Sequence, residues 1–261
     1  MENPENRNRV SYLERNTVDF LGVRVDNLDT GQLLERVLFL AAGSSQRLIT
    51  YVNADCMLIA RKNKAYREVL NRADTVYPDG TGVVLGARFW GHRISGRSTA
   101  ADFMPYFCTH FARLGHKIFL LGAREGVARE AAVRLQEQAP DLKIAGTHHG
   151  YFSKEETGRV ISIINRSGAD ILLVGFGAPY QELWINENRG SLSPRILWAV
   201  GGLFDFLSGR TPRGPRLLLD NGFEWLCRLV AEPGRLWRRY LLGNLVFVSI
   251  VIRERFFHQQ G

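Results

Sequence analysis

The chain has 261 residues, 45% hydrophobic and 23% charged, an ordinary globular composition with room for one large α/β domain or a domain plus an appendage. Its formal net charge of +8 points to partners that carry phosphate: nucleic acid, nucleotide or anionic lipid. Cys56, Cys108 and Cys227 are odd in number and form no C-x-x-C pair, which excludes a disulfide framework and fits a reducing cytoplasm. Among six histidines only His148 and His149 adjoin, with no cysteine or carboxylate at ligand spacing, so no metal site is read.

Residues 1–17 form a polar tail without the apolar region of a secretory signal. Val18 to Val25 reads as a short strand or hairpin arm, followed by an amphipathic helix around Thr30 to Ala42. From there short apolar runs alternate with helical ones. The expected strands are Arg47–Val52, Thr75–Tyr77, Lys117–Leu121, Lys143–Ala145, Ile171–Gly175 and Ile196–Val200. Helices are expected near Ala54–Arg72, Gly82–Trp90, Ala101–Leu114, Gly126–Gln138, Lys154–Arg166 and Tyr180–Arg189, the fifth started by a capping box at Ser153-Lys154-Glu155-Glu156. Continuous apolar strands separated by helices imply an α/β fold, Rossmann-like, with a mostly parallel sheet covered on both faces. Residues 18–208 would be this core.

In such sheets ligands bind beyond the carboxyl ends of the strands. Three strand ends carry glycine turns: Tyr77-Pro78-Asp79-Gly80-Thr81-Gly82, Leu121-Gly122-Ala123-Arg124-Glu125-Gly126, and Gly175-Phe176-Gly177-Ala178-Pro179-Tyr180. Such turns let a backbone approach a phosphate, and three together favour a nucleotide-type ligand. Asp79, between Pro78 and Gly80, would project a carboxylate into the crevice; the commoner role for such an aspartate is an Asx turn or helix cap. The run Gly80-x-Gly82-x-x-x-Gly86 also raises an NAD(P)-dependent oxidoreductase as the alternative. The acid that should hold a ribose, Asp102, falls in an expected helix instead of at a strand end.

Residues 209–261 change character. From Phe206 onward there are nine arginines, no lysine and four acids, a balance of +5 out of the chain's +8. Trp225, Trp237 and Tyr240 interleave with Arg228, Arg235, Arg238 and Arg239, and Pro233 is expected in the first turn of a new helix. Leu241 to Ile252 is largely apolar but too short for the ~20 residues that span a bilayer. Either a surface helix pair or an interfacial basic-aromatic module on an anionic membrane fits. No nucleic-acid motif is present. Truncation before Arg213 is expected to leave a soluble, folded core.

The chain resembles the WecG/TagA/CpsF glycosyltransferases, glycosyltransferase family 26. The resemblance is carried by Val52-Asn53-Ala54-Asp55, Pro78-Asp79-Gly80-Thr81-Gly82-Val83-Val84, Gly175-x-Gly177-x-Pro179-x-Gln181-Glu182 and Val200-Gly201-Gly202-x-Phe204-Asp205-Phe206. It continues in Arg213-x-Pro215 and in Glu224-Trp225-x-x-Arg228-Leu229-x-x-Glu232-Pro233-x-Arg235-Leu236-x-Arg238-Arg239-Tyr240. It implies an inverting, metal-independent enzyme that needs no cofactor. The donor would be a UDP-sugar (N-acetylmannosamine, or a uronic acid or hexose), the acceptor a polyprenyl-diphosphate-linked saccharide. The site would be peripheral on the cytoplasmic face of the cell membrane, in cell-surface polysaccharide synthesis. Asp79 would be the catalytic base; Arg228, Arg235 and Arg238 would close over the donor diphosphate. Asn53, Gly80, Gly122, Gly177, Gln181, Gly201, Asp205 and Arg213 would bind substrate. Two departures from the pattern, Tyr51 for a threonine and Ala100-Ala101-Asp102 for Gly-Thr-Asp, touch the substrate pocket and leave the sugar open, as the oligomeric state is left open.

Overall fold

The computed structural model describes residues 15–211, 214–215, 218, 224–231 and 233–257. Strands β1 (Thr17–Phe20) and β2 (Val23–Asp26) form an antiparallel hairpin. The central sheet has six strands: β3 (Arg47–Val52), β4 (Thr75–Pro78), β5 (Lys117–Gly122), β6 (Lys143–His148), β7 (Ile171–Gly175) and β8 (Ile196–Ala199). Their order is β4-β3-β8-β7-β5-β6, and every pairing is parallel. β3, β4, β7 and β8 are buried almost residue for residue, which is why they read as continuous apolar runs and show no alternation.

Helices cover both faces in the expected places. In the first half of the chain they are α1 (Thr30–Ala42), α2 (Ala54–Lys62), α3 (Lys64–Arg72), α4 (Thr81–Phe89) and α5 (Ala100–Arg113). In the second half come α6 (Val127–Gln138), α7 (Thr157–Ser167), α8 (Tyr180–Asn188) and a short α9 (Leu203–Leu207). Two local expectations are corrected. The run 54–72 is two helices, because Asn63 ends α2 and its side chain accepts from the Tyr66 amide at 3.0 Å to start α3. The capping box at Ser153 closes only as a turn: Glu156 Oε2 accepts from the Ser153 amide at 2.7 Å, but α7 begins at Thr157.

After the sheet, α10 (Glu224–Ala231) and α11 (Pro233–Trp237) are separated at the proline as expected, and a π-helical turn (Arg238–Leu242) leads into α12 (Gly243–Phe257). One side of α12 docks on the core. Phe247 and Val251 are buried, Phe247 meets Phe20 edge-to-face with centroids 6.3 Å apart, and Trp90 Nε1 donates to the Val251 carbonyl at 3.0 Å. Arg61 of α2 pairs with Glu254. Gly86 belongs to this seam: a side chain there would press into the Phe20 ring and Val251. Its glycine is explained by helix packing, with no need of a dinucleotide. A cut before Arg213 would uncover Phe20 and the Gly86 face, so the last helix is part of the core's packing.

Candidate functional site

The parallel registers align the strand ends. Val52 pairs with Pro78, Gly122 with Gly175, and Val174 with Ala199. The residues that follow these ends therefore gather on one edge of the sheet, around a cavity of about 450 Å³. Asn53 and Asp79 stand at its β3–β4 side, Phe176 and Gly177 after β7, and Gly201 and Asp205 after β8. The Asp79 amide donates to the Val52 carbonyl at 2.8 Å, locking the β4 end to the β3 end. The N-cap position of α4 is Gly80, at φ 104°, which has no side chain to give a capping hydrogen bond. Asn53 both lines the cavity and caps α2, accepting from the Cys56 amide at 3.1 Å.

The expected substrate-binding residues divide into those that face the cavity and those behind it. Gly177, Gly201, Asp205, Asn53 and Asp79 line it. Gly80 lines an adjoining groove, described below. Gly122 does neither: at φ 149°, a side chain there would strike the Gly175 carbonyl at 2.5 Å, so this glycine lets two strand ends close on each other. Gln181 is fully buried and braces the site from behind. Its Oε1 accepts from the Gly201 amide at 2.9 Å and from the Gly177 amide at 3.2 Å, tying the two glycine loops together. Its Nε2 donates to Glu182 Oε1 at 2.8 Å, which also receives the Thr50 hydroxyl at 2.9 Å. These two donors fix which end of the Gln181 amide faces the loops.

Glu182 was not singled out from the sequence except as part of the family pattern, yet it anchors this brace. Burial raises its pKa above the usual glutamate range, against the opposing pull of the hydrogen bonds from Gln181 and Thr50. Its Oε2 meets no partner among the described residues, a position that costs a carboxylate more than a protonated carboxyl and so acts in the same direction as burial. The Tyr77 phenol, two residues before Asp79 in the chain, is pushed far up by burial and then by the Asp79 charge. It stays protonated, accepts from Trp198 Nε1 at 3.3 Å, and serves the aromatic core with Phe103.

Both departures from the family pattern reach the cavity wall, since Tyr51, Ala100 and Ala101 all line it. Tyr51 packs against Gly201 so closely that a side chain at 201 would overlap its hydroxyl. From the C-terminal segment Leu236 of α11, itself buried, contributes to the cavity lining. Of the expected arginines, Arg238 is exposed with its guanidinium 5.2 Å from the Trp237 ring. Arg228 lies in α10 and Arg235 in α11, on either side of the break at Pro233; their side chains, and the whole of Arg213, lie outside the described residues. Arg210 ties the start of this segment to α6 through two hydrogen bonds to Glu130, at 2.8 and 2.7 Å.

The family described as Glycosyl transferase WecG/TagA/CpsF matches residues 18–261. The chain belongs to that family. It is a glycosyltransferase, and the oxidoreductase alternative falls with this assignment. Two similar relatives are N-acetylglucosaminyldiphosphoundecaprenol N-acetyl-beta-D-mannosaminyltransferases from Staphylococcus aureus strains MRSA252 and NCTC 8325 / PS 47. Each is 32% identical over 236 residues, 89% of either chain. Among the described residues no group of three or more His, Cys, Asp or Glu side chains is arranged to hold a metal. Nor is any described helix long and apolar enough to cross a membrane.

Proposed function

We propose that this glycosyltransferase moves a sugar from a UDP-sugar to a polyprenyl-diphosphate-linked saccharide, with inversion and without a metal, at the cytoplasmic membrane face. The observation that carries the reading is Asp79, a carboxylate at the junction of a polar cavity and an apolar groove. In the proposed step an acceptor hydroxyl attacks the anomeric carbon and gives its proton to Asp79. The bond between that carbon and the diphosphate oxygen breaks, and UDP leaves with the electron pair. Loss of UDP builds negative charge that must be neutralised. Arginines of the C-terminal segment, led by Arg235 and Arg238 with Arg228 approaching from the neighbouring helix, are assigned that task because bidentate guanidinium groups match phosphate oxygens. Position supports this: α11 already reaches the cavity through Leu236.

The membrane reading rests on the outer side of α12. Leu245, Val248, Ile252 and Phe256 are 69, 52, 44 and 60% exposed, and they recur at helical spacing along one face, with Arg253 and Arg255 beside them. An exposed apolar stripe flanked by arginines fits the headgroup boundary of an anionic leaflet. N-acetylmannosamine leads the candidate sugars, because it is the sugar named for the relatives. The test is incubation with a panel of UDP-sugars and a polyprenyl-diphosphate-linked N-acetylglucosamine, reading UDP release and the extended lipid. Release that needs the acceptor, with one sugar preferred, supports the proposal. No release with any donor overturns it.

A further inference from the structure

A second chamber of about 580 Å³ opens beside the polar cavity, between α4 and the C-terminal helices. Its walls are apolar: Leu85 and Phe89 from α4, Trp225 from α10, and Val248 and Ile252 from α12. Asn53, Asp79 and Thr99 line both chambers, so the two meet at the proposed base. Thr99 Oγ1 is buried there without a partner among the described residues. Arg97, two residues earlier in the chain, adds a cation to the groove wall. Val248 and Ile252 belong at once to the groove and to the exposed stripe of α12. The groove thus runs from the catalytic junction to the face assigned to the membrane.

We infer that this groove seats the first isoprene units of the acceptor's polyprenyl chain, with its diphosphate beside Arg97 and its sugar at Asp79. This rests on the proposed acceptor class and names where its lipid lies. A single branched chain suits an apolar cleft whose lining also carries a cation, Arg97, and two carboxylates, Asp55 and Asp79. A two-chain phospholipid has no group that needs the Asp79 end. The groove's size falls within the ~300–1,000 Å³ usual for small-molecule sites. It therefore takes a few isoprene units, and the rest of the chain stays in the bilayer. The enzyme would draw the head of its substrate partly out of the membrane and read the lipid as well as the sugar.

The test needs no sugar transfer. Inorganic pyrophosphate, geranyl diphosphate and farnesyl diphosphate are titrated into the full chain in water, following tryptophan emission, since Trp225 is in the wall. Affinity is expected to rise from pyrophosphate through geranyl to farnesyl, by about ten-fold per isoprene unit; this is well below the full-burial value because the groove is open along one side. Leu85→Glu and Val248→Glu alter side chains that are 57 and 52% exposed, so the fold should survive, as a thermal melt will verify. Both should erase the difference between geranyl and farnesyl diphosphate. Equal affinities for the three probes in the unmodified chain would overturn the inference, as would variants that keep the chain-length dependence. So would equal displacement of farnesyl diphosphate by prenyl-free phosphatidylglycerol vesicles, which would make the groove a membrane seat. Chain-length-dependent binding without transfer of any sugar would uphold the groove and sink the proposed function. Transfer whose KM ignores prenyl length would do the reverse.

Discussion

Replacing Glu182 by glutamine tests the neutral brace behind the site. In the fold this carboxyl is fully buried, receives hydrogen bonds from Gln181 and Thr50 on one oxygen, and has its pKa raised by burial. In the unfolded chain it titrates near ~4.3. Between that pH and its raised folded value, the folded protein holds a proton the unfolded protein has released, so stability falls as pH rises. The slope is ~1.4 kcal/mol per pH unit for one group and vanishes above the folded pKa. Glutamine keeps the accepting oxygen and removes the titration. Its amide nitrogen would replace Oε2, which has no described partner, at a pH-independent cost of about 1–2 kcal/mol. The variant should therefore be the less stable protein in acid and gain on the wild type by ~1.4 kcal/mol per pH unit through this window. Urea unfolding of both proteins between about pH 5 and about pH 8, compared as a difference, isolates the term from every other titrating group. A difference that stays constant would mean that Glu182 ionises alike in both states, and the account of a neutral brace would be wrong.

Asp79→Asn should leave UDP binding and the melting temperature close to wild type and lower turnover by ~10²–10⁴; near-normal turnover removes Asp79 from the chemistry. Transfer should survive exhaustive chelation, and a loss restored by magnesium or manganese would defeat the arginine assignment. Arg235→Ala and Arg238→Ala should each cut turnover on a water-soluble acceptor, where membrane attachment is irrelevant; a defect seen only on vesicles would reduce both to anchors. Gly201→Ala should destabilise by about 1–3 kcal/mol, because φ is +59° and the new methyl meets the Tyr51 hydroxyl. Pairing it with Tyr51→Phe should recover part of that loss in a thermal melt, and no recovery would place the strain in the backbone alone.

The sheet was legible because its strands are short, continuous and apolar, bounded by turns that announce themselves. Asp79 was legible as a turn residue at a strand end, but that Gly80 takes the cap position of α4 at a positive φ is something no spacing rule states. Asn63 was missed as a boundary because helical periodicity runs through it, while its side chain starts the next helix. Gln181 shows the limit of pattern matching: the motif marks the residue, yet the sequence does not say whether the side chain faces substrate or, as here, holds two loops from behind. The apolar groove was hidden for a simpler reason. Its walls come from residues around 85 and around 250, and only the docking of α12 brings them together.

That two-walled arrangement bears on how such an enzyme can diversify. The cavity proposed to hold the sugar is lined chiefly by the loops after β7 and β8 and by Tyr51, Ala100 and Ala101. The groove is built by α4, α10 and α12, while Leu236 of α11 lines the first cavity; among the described residues the two share Asn53, Asp79 and Thr99. Changes on separate walls without shared partners combine nearly additively. Under the proposed function, a lineage could exchange the sugar it handles by altering the loops after β7 and β8, leaving α4 and α12 as inherited. Tyr51, Ala100 and Ala101 line that cavity and are absent from the groove's lining.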